Sequence, residues 1–217
     1  MGNAAAISQL VGGIGMLAFA AATFWLTLIR PRLNRPRFTI ELGHRSPYCR
    51  KTKISPGPET PMPHTSNVVL AYWIRLKVTN SGKSVAKRCT GKLLTLTDES
   101  DNELTPYDPM ELHWSGTPTL PGEKDPLPRP INLNPGEYNY LDIVYKRDDF
   151  LNRAYIYTDR PLSGALQWVT PGRYRLQIAI YGDNVNPKSG TYVLTVGELD
   201  LDDLRLDVAP PPPPRKF

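Results

Sequence analysis

The chain has 217 residues, 40% hydrophobic and 22% charged, an ordinary globular mixture that argues against wholesale disorder. Its 23 prolines argue against long helical bundles and coiled coils, because proline breaks helices and central strands. Two Cys and three His argue against a disulfide scaffold and most zinc motifs, while the net charge of +5 raises nucleic acid as a partner until that charge is located.

Residues 1–6 form a short tail, and the 23 residues from Ile7 to Ile29 contain no charged side chain. As a helix they reach roughly 35 Å, enough to cross a hydrocarbon core of about 30 Å with some tilt. A cleaved signal peptide needs a basic n-region and a shorter apolar stretch, so a retained transmembrane helix is expected over 7–29. The start Met1-Gly2-Asn3 has Ala6 where myristoylation needs Ser or Thr. A basic juxtamembrane linker follows at 30–37, with Arg30, Arg32, Arg35 and Arg37 as a candidate membrane-surface cluster. Anionic headgroups attract each such cation by about 1 kcal/mol. The same positive flank places the C-terminal domain on the cytoplasmic side.

Strands are expected from period-2 patterning. Phe38–Leu42 reads as the first, followed by a polar, Pro-rich loop to residue 67. In Ala71–Val78 one face carries Tyr72, Ile74, Leu76 and Val78 and the other Trp73, Arg75 and Lys77. Ala86–Thr97 resumes with Leu94 and Leu96 on one face, and Met110–Trp114 reads as a short edge strand. Eight prolines between Pro106 and Pro135 mark a long excursion. Tyr138–Tyr145 aligns Leu141, Ile143 and Tyr145; Ala154–Tyr157 is a weaker segment. Gly172–Tyr181 turns Tyr174, Leu176, Ile178 and Ile180 one way, and Thr191–Val196 keeps Tyr192, Leu194 and Val196 in phase.

Pro135-Gly136 and Pro171-Gly172 each turn the chain into a strand, and Tyr174 sits where an Ig-like fold places its tyrosine corner. Many short strands with turn punctuation imply an all-β fold, an antiparallel Ig-like β-sandwich over 38–197 behind one N-terminal helix. Residues 198–207 alternate acid with Leu, as an extension of the last strand or an acidic tail, and 198–217 end in five prolines and Arg215-Lys216-Phe217. Pro210, Pro213 and Arg215 have the spacing that an SH3-type groove reads in polyproline II, a candidate partner-binding tail.

The run Val78-Thr79-Asn80-Ser81-Gly82-Lys83-Ser84-Val85-Ala86 resembles the Val-x-Asn-x-Gly-x-x-x-Ala hairpin of CARDB-like and related Ig-like sandwiches of prokaryotic membrane and surface proteins. The late Pro-Gly-Arg-Tyr-Arg-Leu-Gln-Ile strand, from Pro171, is similar to theirs too. The resemblance implies a binding or adhesion-type module with no catalytic residues to carry over. The basic flank departs from those surface proteins.

No catalytic, cofactor or metal constellation emerges. His44, His64 and His113 are isolated in sequence, and no Gly-x-Ser-x-Gly elbow occurs. The acidic loop 98–103 lacks calcium-loop spacing, and Gly182–Pro187 reads as a hairpin loop. Cys49 and Cys89 are reduced thiols if the domain is cytosolic, and a pair across neighbouring strands if it is not. Trp73, Arg75 and Lys77, joined by Arg173 and Arg175, would be the aromatic and basic face of a nucleic-acid binder. However, residues 30–53 carry a net charge of +7 and residues 54–217 carry −2. The positive charge is thus a collar beside the anchor, and nucleic acid is not expected.

The expected role is a non-catalytic, single-pass membrane-anchored binding or scaffold module. Its partners would be the bilayer and another protein, met through the loops at 44–66 and 99–135. Two alternatives stand: the same module outside the membrane, marked by a Cys49–Cys89 disulfide, and a membrane-tethered enzyme, marked by turnover that depends on one His.

Overall fold

The structure, a computed structural model, describes residues 16–17, 19–54, 68–104, 109–116, 129–158 and 168–210. The predicted tail 1–6, residues 7–15 and 18 of the predicted membrane helix, residues 55–66, 105–108 and 117–128 of the expected contact loops (His64 among them), and Pro213 and Arg215 of the predicted C-terminal tail lie outside them. Among the described residues no helix is long and apolar enough to cross a membrane. The described part of the predicted span is helical, and this helix, α1, runs through 19–33 with a π-helical turn at Trp25–Ile29.

Twelve strands follow among the described residues: β1 (Phe38–Glu41), β2 (Cys49–Ile54), β3 (Val69–Asn80), β4 (Ala86–Thr97), β5 (Met110–Leu112), β6 (Ile131–Leu133), β7 (Tyr138–Arg147), β8 (Phe150–Ile156), β9 (Trp168–Val169), β10 (Gly172–Tyr181), β11 (Lys188–Val196) and β12 (Leu204–Val208). They build two antiparallel sheets, a β-sandwich. Sheet I has the order β1-β3-β7-β8-β9, with β2 beside the first half of β3. Sheet II has the order β12-β11-β10-β4-β5, with β6 also on β4. Leu76, Val78, Leu141 and Ile143 from sheet I meet Leu96, Leu176, Ile178 and Leu194 from sheet II in one core. Gly91 of β4 faces Leu141 so closely that a Cβ would collide with its side chain.

The period-2 reading holds for β3, β10 and β11, whose inward residues are those expected. It slips in β4 and β7, where a β-bulge inserts one residue and reverses the phase. In β4 the extra residue is Leu94, so Leu93 and Leu96 are buried rather than Leu94 and Leu96. In β7 the extra residue is Ile143, so Tyr145 leaves the side of Leu141 and pairs with Trp73 on the outer face. The bulge also turns Lys146 inward, where it is 0% exposed. Strands β2, β6 and β9 had no legible signal, because β2 has one exposed polar face and the other two are only three and two residues long.

Sheet II also continues past residue 197. Leu204 and Leu206 of β12 alternate inward against β11, and 198–203 form the turn between the two strands. Tyr174 makes the expected corner: its hydroxyl donates to the carbonyl oxygen of Thr170 at 2.9 Å.

Cys49 and Cys89 are free thiols in different sheets. Burial pushes the Cys89 thiol up to about 11. Because the thiolate is the reactive form, Cys89 is expected to resist alkylation near pH 8 in the folded protein, while half-buried Cys49 is labelled first. Equal rates for the two in a time course read by mass spectrometry would contradict this.

Candidate functional site

Two regions gather polar chemistry. The first is the end of the sandwich that receives α1. The helix displays apolar side chains without cover from the sandwich: Phe19 is 76% exposed, Phe24 55%, Trp25 50% and Leu26 52%. These residues occupy more than one helix face, unlike the single stripe of a helix packed on a soluble core. Its hydroxyls are bonded within the helix, Thr23 to the Phe19 carbonyl at 2.8 Å and Thr27 to the Thr23 carbonyl at 2.6 Å. Such back-bonding satisfies a hydroxyl where no water is at hand.

The linker after the helix is fastened to the sandwich by the turn between β3 and β4. Asn80 is 0% exposed. Its Oδ1 accepts from the backbone N–H of Arg37 at 3.2 Å and of Gly82 at 3.0 Å. Its Nδ2 donates to the carbonyls of Ser84 at 2.7 Å and Leu133 at 2.9 Å. Ser81 N–H donates to the Arg37 carbonyl at 2.8 Å. Gly82 lets the linker pass, since a Cβ there would lie 2.6 Å from Arg37 N. Arg32, Arg35 and Arg37 therefore sit against the β10–β11 hairpin, around a cleft of about 470 Å³. Arg30 belongs to the helix end and does not line that cleft.

The second region is a cavity of about 380 Å³ on the outer face of sheet I. Both loop regions expected to make contacts reach it: Arg50 and Lys53 from β2, and His113 and Ser115 after β5. Residues 113–115 arrive there because the chain crosses from sheet II to sheet I, where Trp114 bridges Leu141. Trp73 and Tyr157 form its aromatic wall; Trp73 stacks on Tyr145 at 4.5 Å and donates to Thr52 at 2.7 Å.

Arg75 and Asp142 line this cavity as register partners. Arg75 lies 4.6 Å from the Tyr140 ring centre and donates to the Pro47 carbonyl, while its buried Nε has no hydrogen-bond partner among the described residues. Burial pulls the Arg75 guanidinium down, against the raising effect of Asp142. Burial likewise raises the Asp142 carboxyl, although Ser115 donates to it at 2.5 Å and Arg75 stands near. Ser115 thus bonds a carboxylate directly, with no imidazole between them as a Ser-His-Asp relay requires. The cavity gathers cations and ring faces on one surface, with Arg50, Lys53 and Arg75 beside Trp73 and Tyr157.

Trp73, Arg75 and Lys77 share a face as expected, but Arg173 and Arg175 do not join them. Those two lie on β10 of sheet II, around a hollow with Asp98, Glu99 and Asp101. Asp98 in that loop accepts from the Ser100 and Asn102 backbone N–H groups, and the Asn102 hydrogen bonds hold its carboxyl below its usual value. His44 faces Asp207 at 3.5 Å. Pro210 lies two residues past the end of β12.

Comparisons with protein-family models, with curated proteins and with solved structures each find no match.

Proposed function

We propose that the chain is a non-catalytic binding or scaffold module, an Ig-like sandwich held at a membrane by a single N-terminal helix, with the sandwich on the cytoplasmic side. One observation carries the reading. Apolar side chains of the described residues between 16 and 33 are exposed on several faces, and Arg30, Arg32, Arg35 and Arg37 lie at the end of that segment and just after it. Water is a poor solvent for such a surface, whereas a bilayer followed by anionic headgroups suits it. The Tyr174 corner supports the Ig-like assignment. The Trp73–Arg75 cavity supports recognition of a partner on the outer face of sheet I.

Cysteine accessibility tests this in membrane vesicles, using the full chain with Cys49→Ser and Cys89→Ala. Cysteines placed at Ala20 and Ala22 are expected to be shielded from a polar maleimide. In right-side-out vesicles one placed at Glu99 is expected to react only after the membrane is permeabilised. Labelling at 20 and 22 in intact vesicles would refute the anchor. Labelling at 99 from the outside would move the sandwich to the other face.

A further inference from the structure

We propose that the cleft between the juxtamembrane linker and the β10–β11 hairpin is a binding site for the phosphate of anionic phospholipid headgroups. This rests on the anchor reading and adds to it a built site, a ligand and a residue that the linker sequence does not contain. Four cations meet at the cleft: Arg32, Arg35 and Arg37 from the linker and Lys188 from the start of β11. No carboxylate is among its described lining residues. Asp183 lines the adjoining hollow and faces Arg88 at 3.9 Å. Phe38, buried at 7%, gives the cleft an apolar floor.

Both walls are held in place. The linker is tied to Asn80 and Ser81 as described above. The hairpin is tied to the β3–β4 turn and β4: Asn184 donates to the Val85 carbonyl at 2.8 Å and accepts from Lys87 N–H at 2.9 Å, and Asp183 N–H donates to the Lys87 carbonyl at 3.0 Å. The cations are thus gathered before any ligand arrives, which lowers the ordering cost of binding. Guanidinium forks match phosphate oxygens in pairs. Depth matches as well. Arg32 lies three residues beyond Ile29, about 5 Å along a helix, which is headgroup level if the apolar stretch fills the hydrocarbon. A loose polybasic collar would attract anionic lipid through net charge alone. A built cleft instead makes one particular remote cation count.

The test uses the full chain in phosphatidylcholine nanodiscs containing phosphatidylglycerol, with photoactivatable analogues of each lipid. The phosphatidylglycerol analogue is expected to crosslink to both 30–37 and 182–188. Lys188→Gln is expected to cut that crosslinking about fivefold, the weight of one cation near such a surface, and Lys188→Glu, which changes the charge by two, to cut it further. Arg173→Glu makes the same charge change at the opposite end of β10 and is expected to leave crosslinking as it was. Equal effects of Lys188→Glu and Arg173→Glu, or equal crosslinking by the two lipids, would overturn the site while leaving the anchor intact. Displacement by excess inorganic phosphate would reassign the cleft to free phosphate and overturn the lipid. Failure of the chain to insert into the discs at all would overturn both readings.

Discussion

Replacing Lys146 with Met is expected to destabilise the sandwich by about 3–5 kcal/mol, the usual cost of removing one partner from a buried ion pair. Lys146 reaches from β7 of sheet I into the turn between β11 and β12 of sheet II. Its ammonium donates to the carbonyls of Gly197 at 3.0 Å and Asp200 at 2.6 Å, and to the Asp203 carboxylate. Asp203 closes that turn from the other side, accepting from the backbone N–H of Leu199 at 2.9 Å and Asp200 at 3.0 Å. Met fills the volume but leaves two carbonyls and a carboxylate without their donor. A double-mutant cycle with Asp203→Asn is expected to give a coupling of about 2 kcal/mol, since the two groups act as a unit. Urea titration followed by tryptophan fluorescence reads both. Additive losses would show that Lys146 and Asp203 do not act as a unit.

The same pair sets an acid dependence. Burial alone would raise the Asp203 carboxyl, but the Lys146 ammonium and the Asp200 and Leu199 N–H groups outweigh it and lower the pKa. A carboxyl whose folded-state pKa lies below its unfolded value adds stability above the unfolded pKa and loses it as pH falls through the folded one. The pair's contribution is therefore complete at neutral pH and lost only in acid. The Lys146→Met protein should show a shallower acid slope.

Asn80→Ala is expected to cost about 4 kcal/mol, from four side-chain hydrogen bonds worth about 1 kcal/mol each with at least one acceptor left buried. The four run to Arg37, Gly82, Ser84 and Leu133, so one residue joins the linker, its own turn and β6. The backbone of Asn80 adds bonds to Glu137 and Gly136. Asn80→Asp keeps the acceptor for Arg37 and Gly82 but turns a carboxylate toward two carbonyls, and should be at least as damaging. Thermal unfolding of the full chain in detergent gives the loss. Hydrogen exchange at the Arg37 amide shows whether the linker has come away. A protected Arg37 amide in the Asn80→Ala protein would show that Ser81 and Gly82 suffice to hold it.

The strands with clean alternation were legible because strand periodicity is a local property: successive Cβ atoms point to opposite faces whatever the partner. Tyr174 was legible for a related reason, since its hydroxyl bonds a carbonyl only four residues away. The arginines of the linker were legible as a run. The significance of Asn80 was legible only in part: the turn stood out, but the four partners of its side chain reach from residue 37 to residue 133. Lys188 gave no signal, because nothing in the hairpin sequence says which part of the chain it will face.

What the sequence determined by itself was the alternation of most strands, the uncharged stretch before Arg30, and the concentration of positive charge between residues 30 and 53. Each is a matter of neighbours along the chain. Tertiary structure decided the phase of β4 and β7, because a bulge answers to the hydrogen-bond register of the opposite strand. It thereby decided that Tyr145 stacks on Trp73 and that Lys146 goes inside. It also decided that Arg50, Arg75, His113 and Asp142 share one cavity, and that Lys188 joins three linker arginines. Those groupings bring together residues from about 25 to more than 150 positions apart. They arise from strand order and from the packing of one sheet on the other, and a local pattern carries no record of either.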